Sequence, residues 1–200
     1  MKNIIENSHK NSYSYLEYRK KVSDLLAEGK SSGNEQSEDL LHYSQLNEVR
    51  MNRLDKTIVV PEEVKKPLQA LRKKYLWLVL AEGWCGDAAQ LLPIMEKMTE
   101  MVATIDLRIV FRDENDALMQ EFLTNGARSI PKLIILNADN HEVLAAWGPR
   151  PEAAARLIKE YKAKFGVVNE EAKTELQKWY LHDKGLSTMA EIVKIMQALE

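Results

Sequence analysis

The stretch Tyr75-Leu76-Trp77-Leu78-Val79-Leu80-Ala81-Glu82-Gly83-Trp84-Cys85-Gly86-Asp87 decides the reading of this chain. Its first part, Tyr75 to Ala81, is too apolar for a half-exposed strand and suits a central strand covered on both faces. A turn follows, and Cys85 to about Val102 then reads as a helix with Leu91, Leu92, Met95 and Met98 facing the sheet. Cys85 is the only cysteine among 200 residues and stands where strand becomes helix. Amide groups at a helix N-terminus lack partners and the helix dipole is positive there. A thiol at that point is biased toward thiolate, the reactive form. A lone cysteine is more commonly a small buried apolar residue. Here the strand–turn–helix setting and a second motif favour the reactive reading.

That second motif is Gly126-Ala127-Arg128-Ser129-Ile130-Pro131-Lys132, followed by the strand-like Leu133-Ile134-Ile135-Leu136-Asn137. With both motifs in view, residues 57–166 resemble the thioredoxin superfamily. Trp84-Cys85-Gly86 matches its strand-to-helix turn, Pro93 lies eight residues after the cysteine, and Ile130-Pro131 opens a later strand. The likeness is closest to bacterial thioredoxin-like proteins with a helical N-terminal extension, here with the motif Trp84-Cys85-Gly86-Asp87-Ala88 and no second cysteine. The resemblance implies an α/β, thioredoxin-like fold: a mixed central sheet flanked by helices, with extra helices at both termini. It also implies a cis Ile130–Pro131 bond against the cysteine, with the Ile130 backbone offering hydrogen bonds to an extended peptide.

Departures from the family pattern narrow the chemistry. Dithiol members carry a second cysteine three residues after the first, and Ala88 stands there. Many thioredoxins have a buried acid six residues before the cysteine, and Val79 stands there. An intramolecular disulfide is impossible, so ordinary dithiol reductase activity is excluded. The catalytic candidate is Cys85, within a motif of Trp84, Gly86 and Asp87; Ile130 and Pro131 form the substrate groove. Trp84 is expected to wall one side of the thiol. Asp87 either raises the thiol pKa by like-charge repulsion or only complements the helix dipole. Glu82, three residues before Cys85, is a possible proton acceptor, although a loop glutamate is usually solvated. Two functions remain. One is monothiol thiol–disulfide exchange, with an external thiol resolving the mixed disulfide. The alternative is a non-redox module whose groove binds a protein or peptide.

Composition bounds the rest. Apolar residues make up 45% and charged residues 29%, values of a globular protein with one substantial core. A net charge of −2 gives no electrostatic reason for nucleic-acid or membrane partners. The expected partners are protein or small-molecule thiols and disulfides, with no cofactor, and a monomer is favoured. The N-terminus has no apolar leader, and a free thiol suits a reducing compartment, so the cytoplasm is expected. His9, His42, His141 and His182 are scattered without ligand spacing, so no metal site is expected. No phosphate loop or dinucleotide fingerprint is present.

Three regions are expected: an N-terminal helical extension over 1–56, the thioredoxin-like domain over 57–166, and a C-terminal helical extension over 167–200 on the same globule. Residues 1–11 read as polar and frayed. Tyr15, Tyr18, Val22 and Leu25 mark one helix, and Ser37 caps a second with Leu40, Tyr43, Met51 and Leu54 inward. Asn47 and Arg50 fall on or beside that stripe, either as locally satisfied polar groups or as the border of the site near Cys85. Thr57-Ile58-Val59-Val60 reads as a first strand, and Glu62 to Lys73 as a helix starting or bending at Pro67. Asp106 to Phe111 alternates as a strand, and Asn115 to Thr124 follows as a helix. Leu133–Leu136 and Glu142–Ala146 form an antiparallel hairpin. Pro151 opens the next helix and Gly166 ends it. In the tail, Asn169 starts a helix lined by Ala172, Leu176 and Trp179. Thr188-x-x-Glu191 is a capping-box pattern for a last one.

Overall fold

The apolar run is strand β1 (Tyr75–Ala81), buried at all seven positions. A computed structural model describes every residue from Met1 to Glu200. Before β1 come four helices: α1 (Lys2–Lys10), α2 (Tyr15–Ala27), α3 (Glu38–Thr57) and α4 (Glu62–Gln69). After it come α5 (Gly86–Thr99), β2 (Ile105–Phe111), α6 (Asp116–Glu121), β3 (Lys132–Asn137) and β4 (Val143–Trp147). Helices α7 (Glu152–Phe165), α8 (Glu170–Asp183) and α9 (Leu186–Leu199) complete the chain.

The sheet has the order β2-β1-β3-β4. Strand β1 pairs parallel with β2, across the α5 crossover, and antiparallel with β3, which turns back into β4. A parallel pair needs a covering crossover helix, whereas a short hairpin suffices for an antiparallel one. This is the mixed, helix-flanked sheet that the two motifs imply. Helices α3, α4 and α9 all pack on α5, while α1 and α2 lie against β2. Leu78, Val79, Leu80, Leu91, Leu92 and Met95 are fully buried at the centre of one continuous core.

Three expectations fail for identifiable reasons. Thr57 to Val60 is not a strand: α3 runs through Thr57, and Val59 is 76% exposed on the connector that follows. The stripe continuing through Leu54 outweighs the local β propensity. The outer edge of β2 is closed instead by Tyr13, whose N–H donates to the Ile109 carbonyl and whose carbonyl accepts from Ile109 N–H, both at 2.8 Å. Residues 1–11 are not frayed: Ile5 and Ser8 of α1 are buried, so a mostly polar helix docks through a narrow face. Thr188 does not cap a helix either. Gly185, at φ +83°, is the N-cap of α9, and Thr188 is buried within that helix. Glu191 instead accepts from Trp147 Nε1–H and Glu152 N–H, both at 2.8 Å, joining α9 to the end of β4 and the start of α7.

Helix α1 carries a titratable latch. His9 Nδ1 and His141 Nε2 are 3.2 Å apart, so one ring must donate and the other accept. Burial, His141 and Arg108 hold the His9 pKa below its ordinary value, with Asp106 opposing. The unfolded chain therefore takes up this proton at a higher pH than the folded one. Stability is intact above 6.5 and is lost as the pH falls from there toward the depressed folded value. Protection of the amides of residues 2–10, each exchange rate being taken relative to the intrinsic rate at the same pH, is expected to fall on acidification from pH 7.5 to 5.5, and His141→Gln should weaken that response. Equal protection at both pH values in the unaltered protein would show that the latch does not report on pH.

Candidate functional site

The loop after β1 is held from both sides by the N-terminal helices. Ser32, on the α2–α3 connector, accepts from Gly83 N–H at 2.8 Å, and Asn47 Nδ2 of α3 donates to the Gly83 carbonyl at 2.9 Å. A Cβ on Gly83 would lie 3.1 Å from Val22 Cγ1, so a small residue is needed where the loop crosses α2. Glu82 is fully buried. It accepts from Ser32 Oγ–H and, at 3.0 Å, from Asp113 N–H; neither carboxylate oxygen is bonded to the thiol. Burial raises its pKa. The expected solvated loop glutamate is thus a buried anchor between the connector and the turn after β2.

Cys85 is the N-cap of α5. Its Sγ accepts from Ala88 N–H at 3.4 Å, and its S–H donates to the Ile130 carbonyl at 3.4 Å. The Ile130–Pro131 peptide is cis, as is Gly148–Pro149. Trp84 is half-buried beside the thiol, with the Arg112 guanidinium 4.9 Å from its ring centroid, a cation–π arrangement. Trp84, Cys85, Gly86, Asp87 and Ile130 converge on one cleft of about 680 Å³, and Pro131 lies buried behind it. Asn47 and Arg50 of α3 line the same cleft, so Asn47 is at once locally bonded and at the border of the site.

Electrostatics at the thiol run against the bias expected of a helix N-terminus. Cys85 is 8% exposed, and its pKa is pushed up to about 12, first by burial and then by Asp87. The amides of Ala88 and Asp87, with Arg150, pull in the opposite direction. Magnitudes explain the outcome. A helix end contributes about 0.3–1 kcal/mol, less than one pH unit, whereas full burial moves a pKa by up to about 3–5 units. The resting thiol is therefore neutral.

Asp87 does more than complement a dipole. It is 7% exposed, its Oδ2 lies 2.6 Å from Arg150 Nη2, and its Oδ1 accepts from Tyr180 O–H at 2.8 Å. Tyr180 belongs to α8, which forms one wall of the cleft with Lys173, Leu176 and Gln177. Lys173 Nζ and the Glu170 carboxylate both meet the Tyr43 hydroxyl of α3, so α3 and α8 join at the rim. These partners lie 93 and 127 residues from theirs in sequence, beyond the reach of local patterns. Tyr180 has one sequence signal: it continues the i, i+4 series of Ala172 and Leu176. Those three are the buried residues of α8, and the expected Trp179 is only half-buried. Arg150 follows the second cis proline pair, a turn that pattern reading leaves unassigned.

A family model described as thioredoxin matches residues 33–162. The chain belongs to that family. The match begins before α3, the helix whose Asn47 holds the Gly83 carbonyl. Among solved structures, the chain is similar to a protein of unknown function from Pseudomonas aeruginosa, at 16% identity and a TM-score of 0.59. That alignment covers 94% of this chain and 99% of the other. An HIV epitope-scaffold is similar at the same identity and TM-score, over 93% and 99% of the two chains. Both likenesses show the fold alone. No curated protein matches the chain. No helix is long and apolar enough to cross a membrane. No three His, Cys, Asp or Glu side chains are grouped to hold a metal ion.

Proposed function

We propose that this thioredoxin-family protein carries out monothiol thiol–disulfide exchange through Cys85. One observation carries the reading: the sole thiol, Cys85, caps α5 at the floor of a cleft and meets the Ile130 carbonyl beside Pro131. On deprotonation, Cys85 S⁻ attacks one sulfur of a disulfide R–S–S–R′. The Cys85–S–S–R bond forms, the S–S bond of the substrate breaks, and R′–S⁻ leaves and takes up a proton. Ala88 is not a cysteine, so a second, external thiol must attack sulfur R, releasing R–S–S–R″ and returning Cys85 to the thiolate. The external thiol is the reductant, and no cofactor enters.

The neutral, buried thiol favours a second reading, a groove that binds a peptide with Cys85 as a contact only. In the exchange reading the same burial keeps the thiol quiet at rest, and only its small deprotonated fraction attacks a disulfide that enters the cleft. The protein would then act as a cytoplasmic monomer on protein or small-molecule disulfides, with no nucleic-acid or membrane partner.

Incubation with oxidised glutathione, followed by intact mass measurement, separates the two readings. One adduct is expected on the unaltered protein and none on Cys85→Ser. The rate should climb roughly tenfold per pH unit between pH 7 and 9, because the thiol titrates far above that window. A folded protein that gains no adduct across this range would leave the binding module as the function.

A further inference from the structure

The cleft is lined by five cations, Arg50, Arg112, Arg128, Arg150 and Lys173, and four of them have carboxylate partners. Arg112 pairs with Asp113 at 2.8 Å, Arg128 with Asp116 at 3.0 Å, Arg150 with Asp87 at 2.6 Å, and Lys173 with Glu170 at 2.5 Å. Arg50 has none. Its only side-chain partner is Asn47 Oδ1, a neutral acceptor. Burial and Arg53 both work against its charge, with only Asp87 supporting it from a distance. A half-buried guanidinium without a counter-ion calls for an anion.

The surroundings show where that anion would sit. A Cβ on Gly86 would lie 3.7 Å from Arg50 Nη1 and 3.4 Å from Gln177 Nε2, so both nitrogens converge above the residue next to Cys85. Gln177 is oriented by Gln90, whose Nε2 donates to Gln177 Oε1 at 2.8 Å. That contact turns the Gln177 amide nitrogen toward Gly86, where it meets no acceptor of the protein. The bare backbone of Gly86 leaves the space open. One guanidinium and one neutral amide match the single charge and two oxygens of a carboxylate; a doubly charged phosphate would find only half its charge answered.

We propose that Arg50 and Gln177 form a carboxylate subsite beside Cys85, and that the sulfur compound taken by the cleft is acidic, a small or peptide thiol with a carboxylate near its sulfur. The identity of that compound as an exchange substrate rests on the function proposed above; the subsite itself does not. It also gives the two terminal extensions a shared task, since Arg50 comes from α3 and Gln177 from α8.

S-methylglutathione tests the subsite alone, because its thioether cannot exchange. Titration calorimetry is expected to show binding to the unaltered protein and to Cys85→Ser, and binding at least about tenfold weaker to Arg50→Gln, one lost charged hydrogen bond being worth that much. The diethyl ester of the probe should bind the unaltered protein and Arg50→Gln alike. Thermal melting of each variant confirms folding. Equal affinity of the acid for the unaltered protein and Arg50→Gln, or no binding to the unaltered protein, would overturn the subsite. If Arg50-dependent binding appears but oxidised glutathione leaves no adduct on Cys85, the subsite stands and the exchange reading falls.

Discussion

Replacement of Asp87 by Asn is expected to make the Cys85 thiol markedly more reactive while making the protein markedly less stable. The carboxylate is the second-largest influence holding the thiol near 12, and Arg150 opposes it. Neutralising the acid removes the like charge and leaves the cation facing the sulfur, so both changes lower the thiol pKa. Close charges move a pKa by about 1–3 units, so iodoacetamide alkylation at pH 8 should accelerate roughly tenfold or more. The same substitution leaves Arg150 without its ion partner and weakens the bond from Tyr180 O–H. Breaking a buried pair from one side costs about 3–5 kcal/mol. Because the Arg150 side chain retains 28% exposure, the lower end of that range applies. At roughly 2–4 °C per kcal/mol for a chain of this size, thermal melting should show a Tm lower by about 6–12 °C. A fall in Tm with unchanged alkylation would show that burial alone keeps the thiol neutral.

The second large effect is expected from Gly148→Ala. Gly148 has φ +107°, a region closed to side chains without strain, and a Cβ there would stand 2.5 Å from the Pro131 carbonyl oxygen. The obstacle is backbone, and Lys132 Cα lies just behind it at 3.7 Å. Strain at such a backbone position costs about 1–3 kcal/mol, and relieving the clash must shift the start of β3 as well. The total should reach or exceed roughly 3 kcal/mol, among the larger single-residue effects. Moving Pro131 also moves the Ile130 carbonyl away from Sγ, so alkylation of Cys85 should change together with stability. Gly166→Ala is the matched control. Its φ is +77° but nothing lies within 4 Å of the added carbon, so denaturant unfolding should register only about 1–2 kcal/mol. Equal losses at the two positions would place the effect in backbone strain alone.

Features written in contiguous residues are legible in the sequence alone. The apolar run of β1, the turn at Trp84-Cys85-Gly86, the hairpin of β3 and β4, and the caps at Ser37 and Asn169 depend on neighbours in the chain. The sequence misled where a local preference met a competing contact. Thr57-Ile58-Val59-Val60 has β-rich composition, yet the edge it would have covered is occupied by Tyr13. Thr188-x-x-Glu191 has capping spacing, but Gly185 turns the chain one residue before α9 begins, and Glu191 serves Trp147 instead. At the site, the residues of the two motifs came together, while Ser32, Arg112, Arg150, Gln177 and Tyr180 had no motif to announce them. Their roles arise from pairings across the chain. The thiolate bias failed for a related reason: a helix terminus is visible in sequence, whereas the burial that overrides it is contributed by distant segments.

The two hydrogen bonds on Gly83 bear on how this protein can be divided. A fragment starting at residue 57 would keep every strand and the cysteine, and would look like a trimmed functional domain. It would also strip both partners from a buried amide and carbonyl two residues from the sulfur, and expose the face of the loop that Val22 now covers. Inertness in such a fragment would say nothing about the intact chain. The smallest piece that preserves the thiol's setting begins upstream of Val22, so the border between extension and domain is one of sequence resemblance, and the folded unit ignores it.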